Sequence, residues 1–313
     1  MEPQTQALSK PQLKTRIAPT PSGYLHLGNA LSFALTWAVA RKQNGKVLLR
    51  IDDLDNTRFR KAYLHDIFDT LRFMGLDYDE GPKDATDFTR HYSQHLRLPE
   101  YRKLLDKLVG SGMIYACPCS RSQIAALSPQ GTYPLTCRSK QVPLDTPGVA
   151  WRVRVPENEV ITFNDLLLKN CTVPLAQEMP DFVVRRKDGI PAYQIASLAD
   201  DLMMGVNLIV RGEDLLTSTA AQLFLAQHAG ATAFTQATFL HHPIILESDG
   251  HKLSKSHQSL SIHQMRRSGL QAPELWRLLA EKLGWQDAAI SDAAGFLERF
   301  RLENVPLQVP QAQ

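Results

Sequence analysis

Two short segments hold residues whose types and spacing suit phosphate chemistry. The first is Arg16-Ile17-Ala18-Pro19-Thr20-Pro21-Ser22-Gly23-Tyr24-Leu25-His26-Leu27-Gly28-Asn29. It reads as a strand end, a Pro/Gly turn and the opening of a helix. A helix N-terminus offers free N–H groups and the positive end of the macrodipole. Gly28 lets a phosphate or base approach the backbone closely, and His26 can donate a hydrogen bond to a phosphate. The plain alternative is a strand–helix loop with an incidental histidine. The second segment, Lys252-Leu253-Ser254-Lys255-Ser256, follows Asp249-Gly250. Two lysines on a glycine-led loop can bring positive charge onto a developing pyrophosphate. A solvated charged loop is the commoner fate of a single Lys-x-x-Lys. Each segment is weak alone; the pair, in this order near the two ends of an α/β pattern, is far more specific.

A third cluster has a different chemistry. Cys117, Cys119 and Cys137 crowd together while Cys171 stands apart. Clustered cysteines in a cytoplasmic chain more often hold metal than form disulfides. Structural zinc sites have four ligands, and no histidine lies between Cys119 and Cys137. Spacing alone leaves the fourth ligand open: a protein side chain, water, or no metal at all and three buried thiols. Cys171 reads as a small core residue.

The elements that must position these residues follow from local pattern. Lys14 to Ala18 reads as a strand, Asn29 to Gln43 as a helix closed by Asn44-Gly45, and Val47 to Ile51 as a buried parallel strand. Together they make a βαβ unit. From Leu98 to Pro174 the chain is rich in proline and in alternating strands such as Trp151 to Val155, which suggests an inserted subdomain. A strand-turn pattern resumes at Phe182 to Gly189. A helix from Tyr193 to Leu202, a strand from Val206 to Val210 and a helix from Asp214 to Ala229 then form a second α/β half. Ser261 to Gln313 is mainly helical. There is no internal repeat.

Composition bounds the class without naming it. The 313 residues are 43% hydrophobic and 21% charged with a net charge of +3, an ordinary globular balance. That charge permits a nucleic-acid partner but does not demand one. No apolar run reaches the roughly 18–20 residues of a membrane helix, and the polar start, Met1 to Gln12, lacks a signal-peptide core. A cytoplasmic protein without a membrane partner is expected. A monomer is expected too, since no long heptad or apolar tail is present.

The two phosphate segments resemble the two signature sequences of class I glutamyl-tRNA synthetases. Arg50-Ile51-Asp52-Asp53-Leu54-Asp55 is similar to the acidic segment after that family's second strand. Val210-Arg211-Gly212-Glu213-Asp214-Leu215 is similar to the segment before its second helix. The likeness runs from about Thr15 to Ser256. It implies an α/β fold: a Rossmann-like parallel-sheet core with an inserted zinc-containing subdomain and a short helical C-terminal tail. The expected divisions are a flexible leader at 1–13, a first core half at 14–97, the insertion at 98–174, a second core half at 175–256 and the tail at 257–313.

The resemblance also implies roles. Arg16 and Arg211 would meet the carboxylates of glutamate, where a planar fork binds bidentately. Asp52 would take the α-amino group, and Tyr193 would line the pocket that Ala18, Pro19, Thr20 and Ser22 floor with backbone. His26 and Lys255, with Lys252 the weaker candidate, would stabilise the phosphates of ATP, and Gly28 and Asn29 would lie against the nucleotide. For Arg211 the alternative is an ion pair with Glu213 or Asp214; for Tyr193, a core aromatic. The sequence departs from the family pattern twice: Asn29 stands near the second signature histidine, and Asp52 stands where glutamate is usual.

Gly131-Thr132-Tyr133-Pro134-Leu135-Thr136-Cys137-Arg138 resembles the glutamyl-queuosine tRNA(Asp) synthetase family, in which a tyrosine completes a three-cysteine zinc site. This implies Tyr133 as fourth ligand to a structural zinc. Fewer than sixty residues follow Ser256, without room for the anticodon-binding region of a full glutamyl-tRNA synthetase. The resemblance therefore favours ATP-dependent activation of glutamate, with magnesium accompanying ATP, and transfer to queuosine in tRNA(Asp). Three alternatives stay open: charging of a tRNA 3′ end, a ligase with a non-tRNA acceptor, and a catalytically silent RNA-binding paralogue. Arg121, Arg138, Lys140, Arg152 and Arg154 are the basic candidates for RNA contact near the insertion.

Overall fold

A parallel pair of strands opens the structure. In the computed structural model, which describes residues 12–128, 132–245, 260–285 and 290–308, β1 (Lys14–Ile17) pairs with β2 (Lys46–Leu49) and Arg16 faces Leu48. The crossover between them is α1 (Leu27–Lys42). Residues 30–40 of α1 are buried apart from Ser32, because the helix is covered on more than one side, as an all-round apolar helix must be. Asn44, at φ 51°, makes the turn into β2. Next come α2 (Lys61–Met74), closed by Gly75 at φ 68°, the short α3 (Ala85–Asp87) and α4 (Leu98–Gly110).

The inserted sheet follows. β3 (Ile114–Cys117), α5 (Arg121–Leu127) and β4 (Ala150–Val153) lead to the hairpin of β5 (Ile161–Asp165) and β6 (Lys169–Val173). After α6 (Leu175–Glu178), β7 (Val183–Arg185) returns to pair antiparallel with β4, giving the order β3-β4-β7. The second half of the core is α7 (Tyr193–Met203), β8 (Leu208–Gly212), α8 (Leu216–His228), α9 (Thr232–Thr235) and β9 (Thr238–His242). The described tail is helical: α10 (Ile262–Arg267), α11 (Ala272–Lys282) and α12 (Ala293–Arg299). No helix among the described residues is long and apolar enough to cross a membrane.

The core sheet runs β6-β5-β9-β8, parallel except for β6. β8 lies beside β1: the Asn207 N–H donates to the Lys14 carbonyl at 3.0 Å, and the Lys14 N–H to Asn207 Oδ1 at 2.8 Å. From β1 the chain steps outward to β2, and from β8 it steps the other way to β9. The direction reverses between β1 and β8, and ligands of open α/β sheets bind at such a reversal, beyond the carboxyl ends of the strands.

The insertion differs from the expected 98–174 block. α4 packs on α7, and the β5–β6 hairpin joins the core sheet through the parallel β5–β9 pair. β7, beyond residue 174, belongs to the inserted sheet. An alternating strand pattern shows which face is buried but not which sheet receives it. The strand expected at Val206–Val210 sits two residues later. The helix expected from Asp214 opens with a 3₁₀ turn, Glu213–Leu215, before α8.

One fully buried residue, Asp181, ties the insertion together. Its carboxylate accepts from Arg138 Nε and Nη2 at 2.6 Å each, from the Tyr115 hydroxyl at 2.5 Å and from the Val155 N–H at 2.8 Å. Removing one side of such a buried pair strands the other. Asp181→Ala is expected to cost about 3 kcal/mol in urea unfolding and to open residues 114–155 to proteolysis before the core sheet. Equal protection of that segment in variant and parent would dismiss the role.

Candidate functional site

A cleft of about 430 Å³ opens at the carboxyl ends of the parallel strands. Every described candidate for amino-acid or nucleotide contact lines it: Arg16, Ala18, Pro19, Thr20 and Ser22 from the end of β1 and the turn after it, His26, Gly28 and Asn29 at the start of α1, Asp52, Tyr193 and Arg211. Lys252 and Lys255 lie outside the described residues. The turn between β1 and α1 is held by continued strand pairing: the Arg50 N–H donates to the Ile17 carbonyl and the Asp52 N–H to that of Pro19, both at 2.9 Å.

The floor of the cleft is a buried charge network. Arg16 Nε donates to Asp201 Oδ1 at 2.9 Å, and Arg50 Nη1 donates to the same oxygen at 2.6 Å. Arg50 also holds Asp52 bidentately, at 2.7 and 2.9 Å. Arg16 Nη1 reaches the Val210 carbonyl at 3.1 Å and so crosses from β1 to β8. Burial pushes the Asp201 carboxyl up, but the guanidiniums of Arg16, Arg50 and Arg211 outweigh it and hold the group below the usual carboxylate range. Burial raises the Asp52 carboxyl against the pull of Arg50. The neighbouring Asp200 is separately matched by Arg97, at 2.7 and 2.9 Å, and accepts from the Tyr101 hydroxyl.

Arg211 is different. It is 4% exposed and forms no ion pair among the described residues, with Glu213 and Asp214 included. Its Nη1 donates to Gln222 Oε1 at 2.9 Å and Thr219 Oγ1 at 3.3 Å, while Nε and Nη2 find no partner there. Burial pulls this guanidinium down to about 10. Arg16 and Arg50 pair directly with Asp52 and Asp201, whereas Arg211 has no carboxylate in direct contact among the described residues.

At the α1 end of the cleft, His26 is the N-cap of the helix and its backbone N–H donates to Asn29 Oδ1 at 3.0 Å. Asn29 thus closes the first turn of the helix. A Cβ on Gly28 would meet the His26 ring at 3.2 Å, so the glycine makes room for the imidazole as well as for a ligand. Tyr193 is 45% exposed at the start of α7, which excludes the core-aromatic alternative. The tail is fastened to this corner. The Ile262 N–H donates to the Leu25 carbonyl at 2.8 Å, the Leu25 N–H donates to Asp66 Oδ2 at 3.1 Å, and the rings of Tyr24 and His263 stack at 4.2 Å.

The thiols of Cys117, Cys119 and Cys137 lie within 4.8 Å of one another. The buried Tyr133 hydroxyl sits 3.4 Å from Cys117 Sγ and accepts the Cys137 N–H at 3.2 Å. A tetrahedron with zinc bonds of about 2.3 Å to sulfur and about 2.0 Å to oxygen has S···O edges of roughly 3.5 Å, so these donors fit zinc. Burial opposes ionisation, but hydrogen bonds from Tyr133 and the Cys119 N–H pull the Cys117 thiol down to about 7. Arg152 lies over the Tyr133 ring at 3.6 Å, Arg154 over that of Tyr115 at 4.8 Å, and Arg138 is taken by Asp181. Three of the five basic RNA candidates therefore serve the insertion itself; Arg121 and Lys140 are exposed. Cys171 is buried in β6, as expected.

Sequence reasoning passed over Arg50, Asp201, Thr219, Gln222, Asp165 and His241. Arg50 and Asp52, two apart on an extended segment, share a face, and that signal was readable. Asp200 and Asp201 inside the apolar Ile195–Leu202 stretch were a second one. The others come together only through the fold.

Comparison with known proteins gives the family and agrees with the fold. The family model for the catalytic domain of class I tRNA synthetases (E and Q) matches residues 12–309. The glutamyl-Q tRNA(Asp) synthetase of Nitratidesulfovibrio vulgaris is 37% identical over 95% of this chain and 96% of its own length. A glutamate–tRNA ligase of Dehalococcoides mccartyi is 34% identical over 94% of this chain, which spans 61% of that relative. The crystal structure of a glutamate tRNA ligase from Elizabethkingia meningosepticum in complex with its amino acid shares the fold, with a TM-score of 0.72 at 20% identity over 96% of this chain and 67% of that one.

The thiol cluster makes a direct prediction. Elemental analysis of the purified chain is expected to give one zinc, with loss of the metal in Cys137→Ser. Tyr133→Phe is expected to release zinc to a chelator about tenfold or more faster than the parent. Full zinc content in Cys137→Ser would place the metal elsewhere.

Proposed function

The chain belongs to the class I tRNA synthetase (E and Q) catalytic-domain family, and from that premise we propose that it is a ligase that activates glutamate with ATP and passes it to queuosine in tRNA(Asp). The observation that carries the amino-acid half is the buried guanidinium of Arg211, whose Nε and Nη2 have no partner among the described residues. Glutamate brings two carboxylates and one ammonium, and a carboxylate can meet those two donors bidentately. The side-chain amide of glutamine would offer a single acceptor oxygen there. On this reading Arg211 and Arg16 face the carboxylates, Asp52 accepts from the ammonium, and Tyr193 covers the side chain.

The chemistry has two steps. A glutamate carboxylate oxygen attacks the α-phosphorus of ATP, the bond to the bridging oxygen of the β-phosphate breaks, and glutamyl-adenylate and pyrophosphate form. His26, Gly28 and the N-terminus of α1 face the phosphates, with Asn29 holding that turn. Lys255 and Lys252 are assigned to the leaving pyrophosphate from the resemblance alone. Magnesium accompanies ATP, held mostly by phosphate oxygens and water. A hydroxyl of the queuosine cyclopentene ring then attacks the adenylate carbonyl, AMP leaves and an ester remains. Cys117, Cys119, Cys137 and Tyr133 would hold a zinc that pins the insertion.

Support for the queuosine acceptor is the match along 96% of the N. vulgaris relative, against 61% of the D. mccartyi ligase. The ligases among the relatives keep the tRNA 3′ end as the second acceptor to test.

Glutamate-dependent ATP–pyrophosphate exchange without tRNA is expected. Arg211→Ala should lose about 3 kcal/mol of transition-state binding, roughly hundredfold in kcat/KM for glutamate. Labelled glutamate should enter tRNA(Asp) bearing queuosine and not the same tRNA without it. Labelling of both would move the acceptor to the 3′ end, and absence of exchange would remove glutamate activation itself.

A further inference from the structure

Directly behind Arg211 lies a chain of hydrogen bonds that reaches a carboxylate two side chains away. Asp165, at the end of β5, accepts four donors: the N–H groups of Leu167 and Leu168 at 2.8 and 2.9 Å, the His241 N–H at 2.9 Å and His241 Nδ1 at 2.7 Å. Those four fill the acceptor positions of a carboxylate, so the ring proton of His241 sits on Nδ1. Burial lowers the affinity of His241 for a second proton, and Nε2 is left as an acceptor. Thr219 Oγ1, at 2.8 Å, must then donate to it. The hydroxyl turns its lone pairs away from His241, and Arg211 Nη1 donates to that oxygen at 3.3 Å. The Leu215 carbonyl, at 3.2 Å, is the weaker claimant for the hydroxyl proton.

The set has the composition of a nucleophilic triad, but Thr219 and His241 are both 0% exposed, so no substrate reaches the hydroxyl. We propose that Asp165, His241 and Thr219 are positioning residues for amino-acid binding, a relay that lends Asp165's charge to Arg211 through two neutral groups while leaving Nε and Nη2 for the ligand carboxylate. A carboxylate in direct contact would occupy the fork, as Asp201 occupies Arg16 Nε. An unsupported guanidinium would be costly to bury. The relay avoids both, and successive hydrogen bonds in a low-dielectric interior polarise one another. This rests on the reading of the cleft as an amino-acid site with Arg211 toward a carboxylate.

Thr219→Val keeps the shape and breaks the relay; Thr219→Ser restores the hydroxyl. In pyrophosphate exchange, Thr219→Val is expected to raise the KM for glutamate about tenfold, the loss of one hydrogen bond to a charged group. The KM for ATP should stay near that of the parent, the variant should stay folded with a melting temperature lowered by the stranded His241 Nε2, and Thr219→Ser should recover most of both losses. Equal changes in both KM values, or an unchanged glutamate KM in a folded Thr219→Val, would overturn the relay. A parent with no glutamate-dependent exchange would instead fault the functional reading. The relay is then decided by the ¹⁵N signals of His241: Nδ1 protonated with a bare Nε2 upholds it, and the opposite tautomer overturns it whatever the cleft binds.

Discussion

The structure turns on a carboxylate buried among three guanidiniums. Asp201 in α7 binds Arg16 from β1 and Arg50 from beyond β2, with Arg211 of β8 close enough to depress its proton affinity further. Arg16 also reaches the Val210 carbonyl, so β1 and β8 are joined at the point where the sheet reverses direction. Burying ions is costly unless each finds a partner. A buried lysine could shed its proton to escape the cost, but arginine does not in practice. Arg211 therefore stays charged, and its unpartnered Nε and Nη2 can be satisfied directly only by an acceptor other than the described residues. The sheet holds itself together at its centre with the same groups that make its centre attract an anionic ligand.

The three arginines grade from structural to available. Arg50 is consumed by Asp52, Asp201 and Ser197. Arg16 spends Nε on Asp201 and Nη1 on a carbonyl. Arg211 has two nitrogens without partners among the described residues. The insertion repeats the lesson: Arg138, Arg152 and Arg154, which suggested RNA contact, are turned onto Asp181, Tyr133 and Tyr115. An arginine's role depends on which acceptors the fold brings within reach, and composition does not report that.

Much of the core was legible because local signals and global packing agree. The Pro/Gly turn after β1, the largely apolar α1, the Asn44 turn and the short runs of β2 and β8 each have one reasonable reading. Eleven site candidates fell into one cleft because they sit at strand ends, the turn after β1 and helix starts, which the parallel topology gathers on one edge. What sequence could not supply was long-range. The β5–β6 hairpin looks the same whether it joins the inserted sheet or the core sheet. The pairs His241–Asp165 and Arg211–Gln222 span 76 and 11 residues, and no local rule singles them out. Tyr133 beside the thiols came from resemblance; the geometry supplies an independent reason, since its hydroxyl is fixed by the Cys137 N–H.

The spacing of the first signature segment now has a physical cause. Arg16 ends in the charge network at the sheet's reversal, and His26, ten residues later, begins α1. On the proposed reading these are the two reactant sites, one for a carboxylate and one for phosphate, and they must be close enough for a carboxylate oxygen to meet the α-phosphorus. A flexible connection would not fix that approach. Here the connection is rigid at both ends. Backbone bonds from Arg50 and Asp52 extend the strand pairing through Pro19, and the Leu25 N–H and carbonyl are anchored to Asp66 and Ile262. The second anchor ties the turn to α10, the first described helix after the Lys252–Ser256 segment. Proximity on this scale is worth several kcal/mol of barrier when the groups are held and little when they are not. On that reading the prolines, the turn and the C-terminal helix serve one end: they would make a sheet edge that takes a carboxylate and a helix end that takes a phosphate into a single site where the two can react.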